Sequence, residues 1–339
     1  MACCRIEQSA ADVQQLDALA ALIEQAQTIA ICAHTKPDGD ALGSGLALSM
    51  IISHLWPDKM VTNLLADNED IPDMYRFLPK SDTLVQPATY TQDPDLFIMV
   101  DLAYPARLNE AQPIFERARK RATVDHHPAD TPVGDVCFSR PEAAAAGVLV
   151  AQFALYKKVP LTPQMATCLM CALVTDTGSF QYQNANTEAF TIASILVEAG
   201  ANPAEISLQV YQSQSLAYLR LKSLVMGRIS IFDKGRVAYS YATEEDFARC
   251  AVLPDQAEGL IDMVRSVAGT QVALFLKQVD KHVVRGNLRS KSDIDISGVA
   301  RELGGGGHKA AAGFTFNGTI DEALSSALPK LHVLFEEGL

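Results

Sequence analysis

Eight side chains of this sequence, all Asp or His, fall where apolar runs end. Thr28 to Ala33 reads as a buried strand and stops at His34, before Pro37 and Gly39. Asp38 and Asp40 lie in the following turn, ahead of an apolar helical pattern from Ala41 to Leu55. Asp95 to Val100 is a second apolar run, ending in Asp101. Arg121 to Val124 is a third, ending in Asp125, His126 and His127. The eighth residue, Asp176, closes a helical pattern that begins at Pro163. One such turn would be an ordinary helix cap. The same event at three strand ends is hard to explain by packing, because these groups are costly to bury unless paired or metal-bound. In an open parallel sheet, ligands sit at the carboxyl ends of the strands.

Carboxylates with imidazoles, and no thiolate beside them, suit hard or borderline cations such as Mn²⁺, Mg²⁺ or Fe²⁺. The set is too large for one catalytic ion and about right for two, with Asp101 on its own middle strand as the natural bridge. Two such ions acidify the water between them and neutralise charge on a phosphoryl group, the chemistry of phosphoester hydrolysis. A second element is the run Gly304-Gly-Gly-Gly-His308, followed by small residues that read as a helix start. Glycines admit a ligand close to the backbone, and N–H groups at a helix start bind phosphate. Arg285, Arg289 and Ser290 precede it and reach toward the same anion, Arg289 with a bidentate fork.

The elements that must position these groups alternate. Residues 12–26 read as an amphipathic helix, and Met60 to Leu65 as a further strand. Ile71 to Leu78 reads as irregular, and Pro113 to Arg121 as a charged helix. This is an α/β pattern, a parallel sheet with helices on both faces. Helical patterns then follow at Glu142–Tyr156, Pro163–Thr175, Thr187–Glu198 and from Asn202-Pro203 to Tyr211. The domain boundary is expected near Ser213, giving a catalytic domain over 12–212 and a linking helix over 213–226. A smaller α+β domain over 227–339 is read as two hairpins, Gly227–Phe232 with Arg236–Ala242 and Val272–Val279 with His282–Leu288. Helices are expected at Gln256–Val267, Ile294–Leu303 and Asp321–Glu336, with a strand at Phe314–Phe316.

The net charge of −12 is uneven: residues 1–218 hold 13 Lys+Arg against 25 Asp+Glu, and the rest hold 15 of each. An acidic chain is a poor tracker of long nucleic acid, so a phosphate-bearing substrate is expected to be small and locally held. Seven scattered Cys suit a reducing compartment, and Cys168 and Cys171 read as buried core thiols within a helix. No signal peptide or membrane span is read, so the protein is expected to be soluble and cytoplasmic.

The motifs His34-Thr-Lys-Pro-Asp-Gly-Asp-Ala-Leu-Gly-Ser44, Asp101, Asp125-His-His127, Asp176-Thr-Gly-Ser-Phe180 and Gly304-Gly-Gly-Gly-His308 together resemble the DHH–DHHA1 phosphoesterases, in the family's order and from residue 34 to 313. The compact length resembles its branch of bacterial short-oligoribonucleotide nucleases and 3′-phosphoadenosine-5′-phosphate phosphatases. The resemblance implies a parallel-sheet DHH domain and a DHHA1 domain across a cleft. It implies two divalent ions, with Mn²⁺ favoured: one on His34, Asp38 and Asp101, the other on Asp40, Asp101, His126 and Asp176. Asp125 would orient a metal-ligating imidazole, and His127 would face the scissile phosphate as a donor. Arg289, Ser290, Gly305, Gly306, Gly307 and His308 would bind substrate. Two departures, Asn287 where the family often has Ser and Gln181 where a basic residue is common, bear on which nucleotide is preferred.

The implied activity is hydrolysis of short oligoribonucleotides and 3′,5′-nucleoside bisphosphate (pAp) to nucleoside 5′-monophosphates. The alternative is a phosphodiesterase for cyclic dinucleotides such as cyclic di-AMP, or for their linear dinucleotides. The expected partners are short nucleotides, with no long nucleic acid and no membrane, and a homodimer is compatible with this reading. A nucleotide-binding regulator that had lost catalysis would lack a ligand, and none is missing.

Overall fold

The apolar runs of the first two hundred residues become the inner strands of one sheet. The computed structural model describes residues 9–336 apart from 130, 132, 258, 292 and 308, so the expectation for His308 lies outside the described residues. The chain divides into two units, Met1–Ser213 and Gln214–Leu339.

In the first unit α1 (Ala10–Gln25) leads to β1 (Thr28–Cys32), α2 (Gly39–Leu55) and β2 (Met60–Leu64). After three short 3-10 turns come β3 (Leu96–Val100), a longer 3-10 segment at Pro105–Ala111, α3 (Gln112–Arg117), β4 (Lys120–Asp125) and β5 (Val136–Ser139). Four helices complete the unit: α4 (Ala146–Tyr156), α5 (Pro163–Asp176), α6 (Thr187–Glu198) and α7 (Pro203–Tyr211). The sheet is parallel throughout, in the order β2-β1-β3-β4-β5. Alternate residues serve opposite faces. Ile29, Ile31, Ile98 and Val100 pack with the helices of one layer. Ala30, Cys32, Phe97 and Met99 face Leu108, Ile114 and Phe115 on the other. Burial on both faces is why these strands are apolar at every position.

The strand order reverses between β1 and β3, so the loops leaving their carboxyl ends diverge and leave a crevice. His34 and Asp101 stand there. Helices α2 and α5 cross closely at Gly43, where a Cβ would lie 2.3 Å from the carbonyl oxygen of Cys168. That approach sets Asp176, at the end of α5, beside Asp38 and Asp40 at the start of α2. Two elements differ from the sequence reading. Strand β5 carries too short a pattern to read, and the charged helix stops at Arg117 because β4 already begins at Lys120.

The second unit begins with α8 (Leu216–Gly227), followed by β6 (Ser230–Phe232), β7 (Val237–Ala242), α9 (Glu244–Cys250) and α10 (Leu260–Arg265). Then come β8 (Val272–Asp280), β9 (Val283–Ser290), α11 (Ser297–Glu302), β10 (Gly306–Gly307), β11 (Ala311–Asn317) and α12 (Ile320–Val333). Leu221 and Val225 of α8 are buried with Phe247, Leu260, Ala273 and Phe275, so this helix shares the second unit's core. The sheet order is β10-β11-β9-β8-β7-β6, antiparallel except for β7 beside β8.

The helix expected over Gln256–Val267 is shorter, a 3-10 turn at Pro254–Ala257 and then α10. Helix α9 was not anticipated, although Thr243 and Asp246 form a capping box at its start. The glycine run does not open a helix. Its last two residues form β10 against β11, and a Cβ on Gly305 would meet the carbonyl oxygen of Gly313 at 2.0 Å, so glycine there serves strand approach. No helix among the described residues is long and apolar enough to cross a membrane.

Candidate metal centre

Asp101 follows β3 with a left-handed backbone (φ 56°), and its N–H donates to Val124 O at 3.0 Å. The residue is 2% exposed, and three imidazoles surround its carboxylate. His34 Nε2 lies 3.3 Å from Oδ2, while His126 Nε2 and His127 Nδ1 lie 3.4 and 3.5 Å from Oδ1. Asp38 Oδ1 is 4.0 Å from His34 Nε2 and also caps α2, accepting from the N–H groups of Asp40 and Ala41. His126 Nε2 lies 3.7 Å from Asp40 Oδ2 and 3.6 Å from Asp176 Oδ2. The sequence-predicted ligands thus gather into three overlapping groups: His34, Asp38 and Asp101; Asp101, His126 and His127; and Asp40, His126 and Asp176. Asp101 joins the first to the second, and His126 the second to the third.

The remaining edges of these rings are fixed. His34 Nδ1 is 2.8 Å from Thr35 O, and His126 Nδ1 is 3.2 Å from Ala143 O. Those carbonyls hold the protons on Nδ1 and turn both Nε2 atoms toward the carboxylates. Asp125 orients His127, whose Nδ1 lies 2.8 Å from Asp125 Oδ1. His126, the imidazole of the expected ligand set in this loop, takes its orientation from Ala143 O instead, so the expectation that Asp125 orients a metal-ligating imidazole is not met at His126. Asp40 is anchored by Ser44 Oγ at 2.7 Å and by the N–H groups of Ala146 and Gly147 at 2.7 and 2.9 Å.

The charges do not balance within the protein. Burial pushes the Asp40 carboxyl up to about 7, and the nearby Asp101 charge adds to the effect. Asp176 is raised too, by burial and then by Asp40. Burial opposes the ionisation of Asp101, yet the imidazoles of His126 and His34 beside it outweigh burial and hold its pKa low. His126 rises to about 10, burial being overcome by Asp101 and then Asp40. Asp101 Oδ1 accepts no hydrogen bond although it is fully buried. A buried, unsatisfied carboxylate oxygen among carboxylates that resist ionisation is an environment completed by cations. The all-oxygen-and-imidazole donor set fits hard or borderline divalent ions.

Sequence reasoning missed the main-chain donors of Ala146 and Gly147. The available signal was the run Ala143-Ala-Ala-Ala-Gly147, read wholly as helix, although α4 begins only at Ala146. It also missed Asp67, whose carboxylate accepts from Thr35 Oγ1, Lys36 N–H and Asn109 Nδ2 and so ties the loop after β1 to the loop after β3.

In the second unit, strand alternation divides the expected substrate-binding residues. Arg285, Asn287 and Arg289 lie on one face of β9, while Leu288 and the 3%-exposed Ser290 lie on the other. Arg285 pairs with Asp255 at 2.8 Å, and Arg289 donates locally to Leu288 O. Arg289 stands opposite Ala311 on β11, whose partner across the sheet is β10 with Gly306 and Gly307. Buried thiols Cys168 and Cys171 are both pushed up by burial, Cys168 to about 12, so neither is a reactive thiolate.

Known proteins carry the same pattern. A family profile described as the DHH family, N-terminal domain, matches residues 28–173, and one described as the DHHA1 domain matches residues 235–336. The chain is 27% identical over 301 residues to the bifunctional oligoribonuclease and PAP phosphatase NrnA of Thermus thermophilus, covering 88% of each chain. It is 26% identical over 289 residues to the protein of that name from Bacillus subtilis, covering 84% of this chain and 88% of that one. A crystal structure of an exopolyphosphatase-related protein from Bacteroides fragilis superposes with a TM-score of 0.88 at 26% identity, covering 96% of this chain and 98% of that one. With a DHH domain followed by a DHHA1 domain over most of its length, the chain belongs to the DHH–DHHA1 phosphoesterase family.

Proposed function

We propose that this chain hydrolyses short oligoribonucleotides and 3′,5′-nucleoside bisphosphates to nucleoside 5′-monophosphates, in the cytoplasm, with two Mn²⁺ ions as cofactors. The observation that carries the reading is Asp101, a buried carboxylate shared by two groups of ligands and left with an unsatisfied oxygen. The names of the relatives that match most of its length support the substrate class. His34, Asp38 and Asp101 hold one ion, and Asp40, Asp101, His126 and Asp176 the other. When bound, such ions acidify water and neutralise charge on the phosphoryl oxygens.

The chain's own residues supply the rest. Ser44 and the N–H groups of Ala146 and Gly147 hold Asp40 in place, so its geometry does not depend on substrate. Asp125 accepts from His127 Nδ1 and fixes the ring, so that Nε2 faces the scissile phosphate. In the second unit, Arg289 and the glycines Gly305 to Gly307 bind a further anionic group of the substrate, together with His308, while Ser290, buried on the other face of β9, is left out of that group. Because the first 218 residues are strongly acidic, nothing there holds a long backbone, and activity falls with substrate length.

The test is a panel of di- to pentaribonucleotides, pAp and long single-stranded RNA, each with Mn²⁺ and purified protein. Turnover is expected for the first two classes, with 5′-monophosphate as product. Efficient cleavage of the long strand, with none of the short substrates turned over, overturns the reading.

A further inference from the structure

The first unit has six described arginines, and five are occupied. Arg76, Arg117, Arg119 and Arg140 each hold carboxylates, and Arg121 donates to the carbonyls of Phe115 and Glu116. Arg107 is the exception. Its guanidinium makes no hydrogen bond or ion pair among the described residues, and the residue is exposed.

Its position is not that of a stray surface cation. Arg107 lies in the 3-10 segment Pro105–Ala111, six residues after Asp101. Its carbonyl oxygen accepts the Thr35 N–H at 2.8 Å, which pins its backbone against the residue that follows His34. Two neighbours fix the segment: Leu108 is fully buried, and Asn109 donates to Asp67, which also holds Thr35. An exposed guanidinium with no partner among the described residues is therefore carried on a backbone pinned beside the residue that follows His34, next to a carboxylate-rich centre.

Arginine presents a planar fork that matches phosphoryl oxygens, and positioned cations at a transferring phosphoryl group carry much of the catalysis in such reactions. We propose that Arg107 is a catalytic residue that donates to a non-bridging oxygen of the scissile phosphate, on the His34–Asp38 side of the centre. This rests on the phosphoesterase reading above. It differs in kind from the role given to Arg289, which binds an anion remote from the reacting phosphorus. A residue at the scissile phosphate acts on every phosphoester; one at a second anion acts only on substrates that have it.

The experiment compares native protein, Arg107→Ala, Arg107→Lys and Arg289→Ala on a dinucleotide and on bis(4-nitrophenyl) phosphate, with bound Mn²⁺ measured on each. Arg107→Ala should lower kcat/KM by about 30- to 100-fold on both substrates, with bound metal unchanged. Arg107→Lys should recover part of that loss through its charge. Arg289→Ala should affect the dinucleotide alone. A second readout, calorimetric binding of inorganic phosphate to the Mn²⁺-loaded protein, should weaken about tenfold in Arg107→Ala. Loss confined to the dinucleotide, loss of bound metal, or unchanged activity overturns the assignment. If native protein hydrolyses neither substrate, the phosphoesterase reading fails. Phosphate binding then decides the anion site separately, and equal affinity in native protein and Arg107→Ala overturns it.

Discussion

Replacing Asp101 with Asn keeps the shape of the side chain and removes one charge from the middle of the centre. Its carboxylate oxygens lie 3.3, 3.4 and 3.5 Å from the nitrogens of His34, His126 and His127. At an effective dielectric of about 20, one imidazolium–carboxylate pair at this distance attracts by about 5 kcal/mol before hydration is set against it. In the metal-free protein the His126 imidazole, held up at about 10, should therefore fall by at least two pH units, about 2.7 kcal/mol. In the metal-loaded protein the variant lacks a ligand of both proposed ions. Turnover should fall at least a thousandfold, which corresponds to about 4 kcal/mol of barrier. The imidazole shift is read by following ring protons in an NMR titration of metal-free protein, and metal content by mass spectrometry of native-like samples. An Asn variant that retains two tightly bound ions and turns over within tenfold of the native rate would refute the shared-carboxylate reasoning.

Three further outcomes follow from the geometry. Asp40 and His126 both have raised pKa values, about 7 and about 10, so in each case folding favours the protonated form. Their contributions are complete below the unfolded values, near 4 and 6.5, and are lost as pH rises through about 7 and then about 10. Metal-free protein should lose stability from pH 6 to pH 9, while the stabilisation added by Mn²⁺ should grow over the same range; thermal melts with and without the ion check both slopes. Gly43→Ala places a methyl 2.3 Å from the Cys168 carbonyl oxygen, forces α2 and α5 apart and should cost about 2 kcal/mol, a fall of about 4–8 °C in Tm. Asp125→Asn weakens the hold on His127 while leaving the proposed metal ligands in place, so kcat should drop about 10- to 100-fold with metal content intact, and loss of metal would contradict the pairing.

The centre was legible before the fold because its ligands are the residues that an apolar strand end would otherwise exclude. Strand β3 is apolar throughout, and β1 and β4 are buried toward their carboxyl ends, so an Asp or His at each end stands out. What positions these ligands was not legible. Asp40 takes its N–H donors from residues 106 and 107 positions away, and the small-residue run that holds Ala146 and Gly147 does not say which carboxylate they serve. The partner of Asp125 was ambiguous because both histidines follow it directly, and only the turn of the backbone leaving β4 chooses His127. The glycine run was misread for a physical reason. Glycine serves close strand packing as readily as a helix start, and local composition does not separate the two. Helix α9, seven residues long, offers too few turns for a periodic pattern, although its capping box was present.

The backbone of Asp101 carries a consequence beyond the reaction. A non-glycine residue in the left-handed region is strained by about 1–3 kcal/mol, and glycine at φ 56° would not be. The same residue brings a buried negative charge among carboxylates that resist ionisation. Only its attraction for the imidazoles of His34 and His126 offsets these costs. In a duplicated copy of this chain, once released from catalysis, Gly at position 101 would relieve the backbone but leave those imidazoles without their carboxylate. Loss of this aspartate would therefore be expected to follow loss of its histidines, and re-acquisition of activity would need all of them restored together.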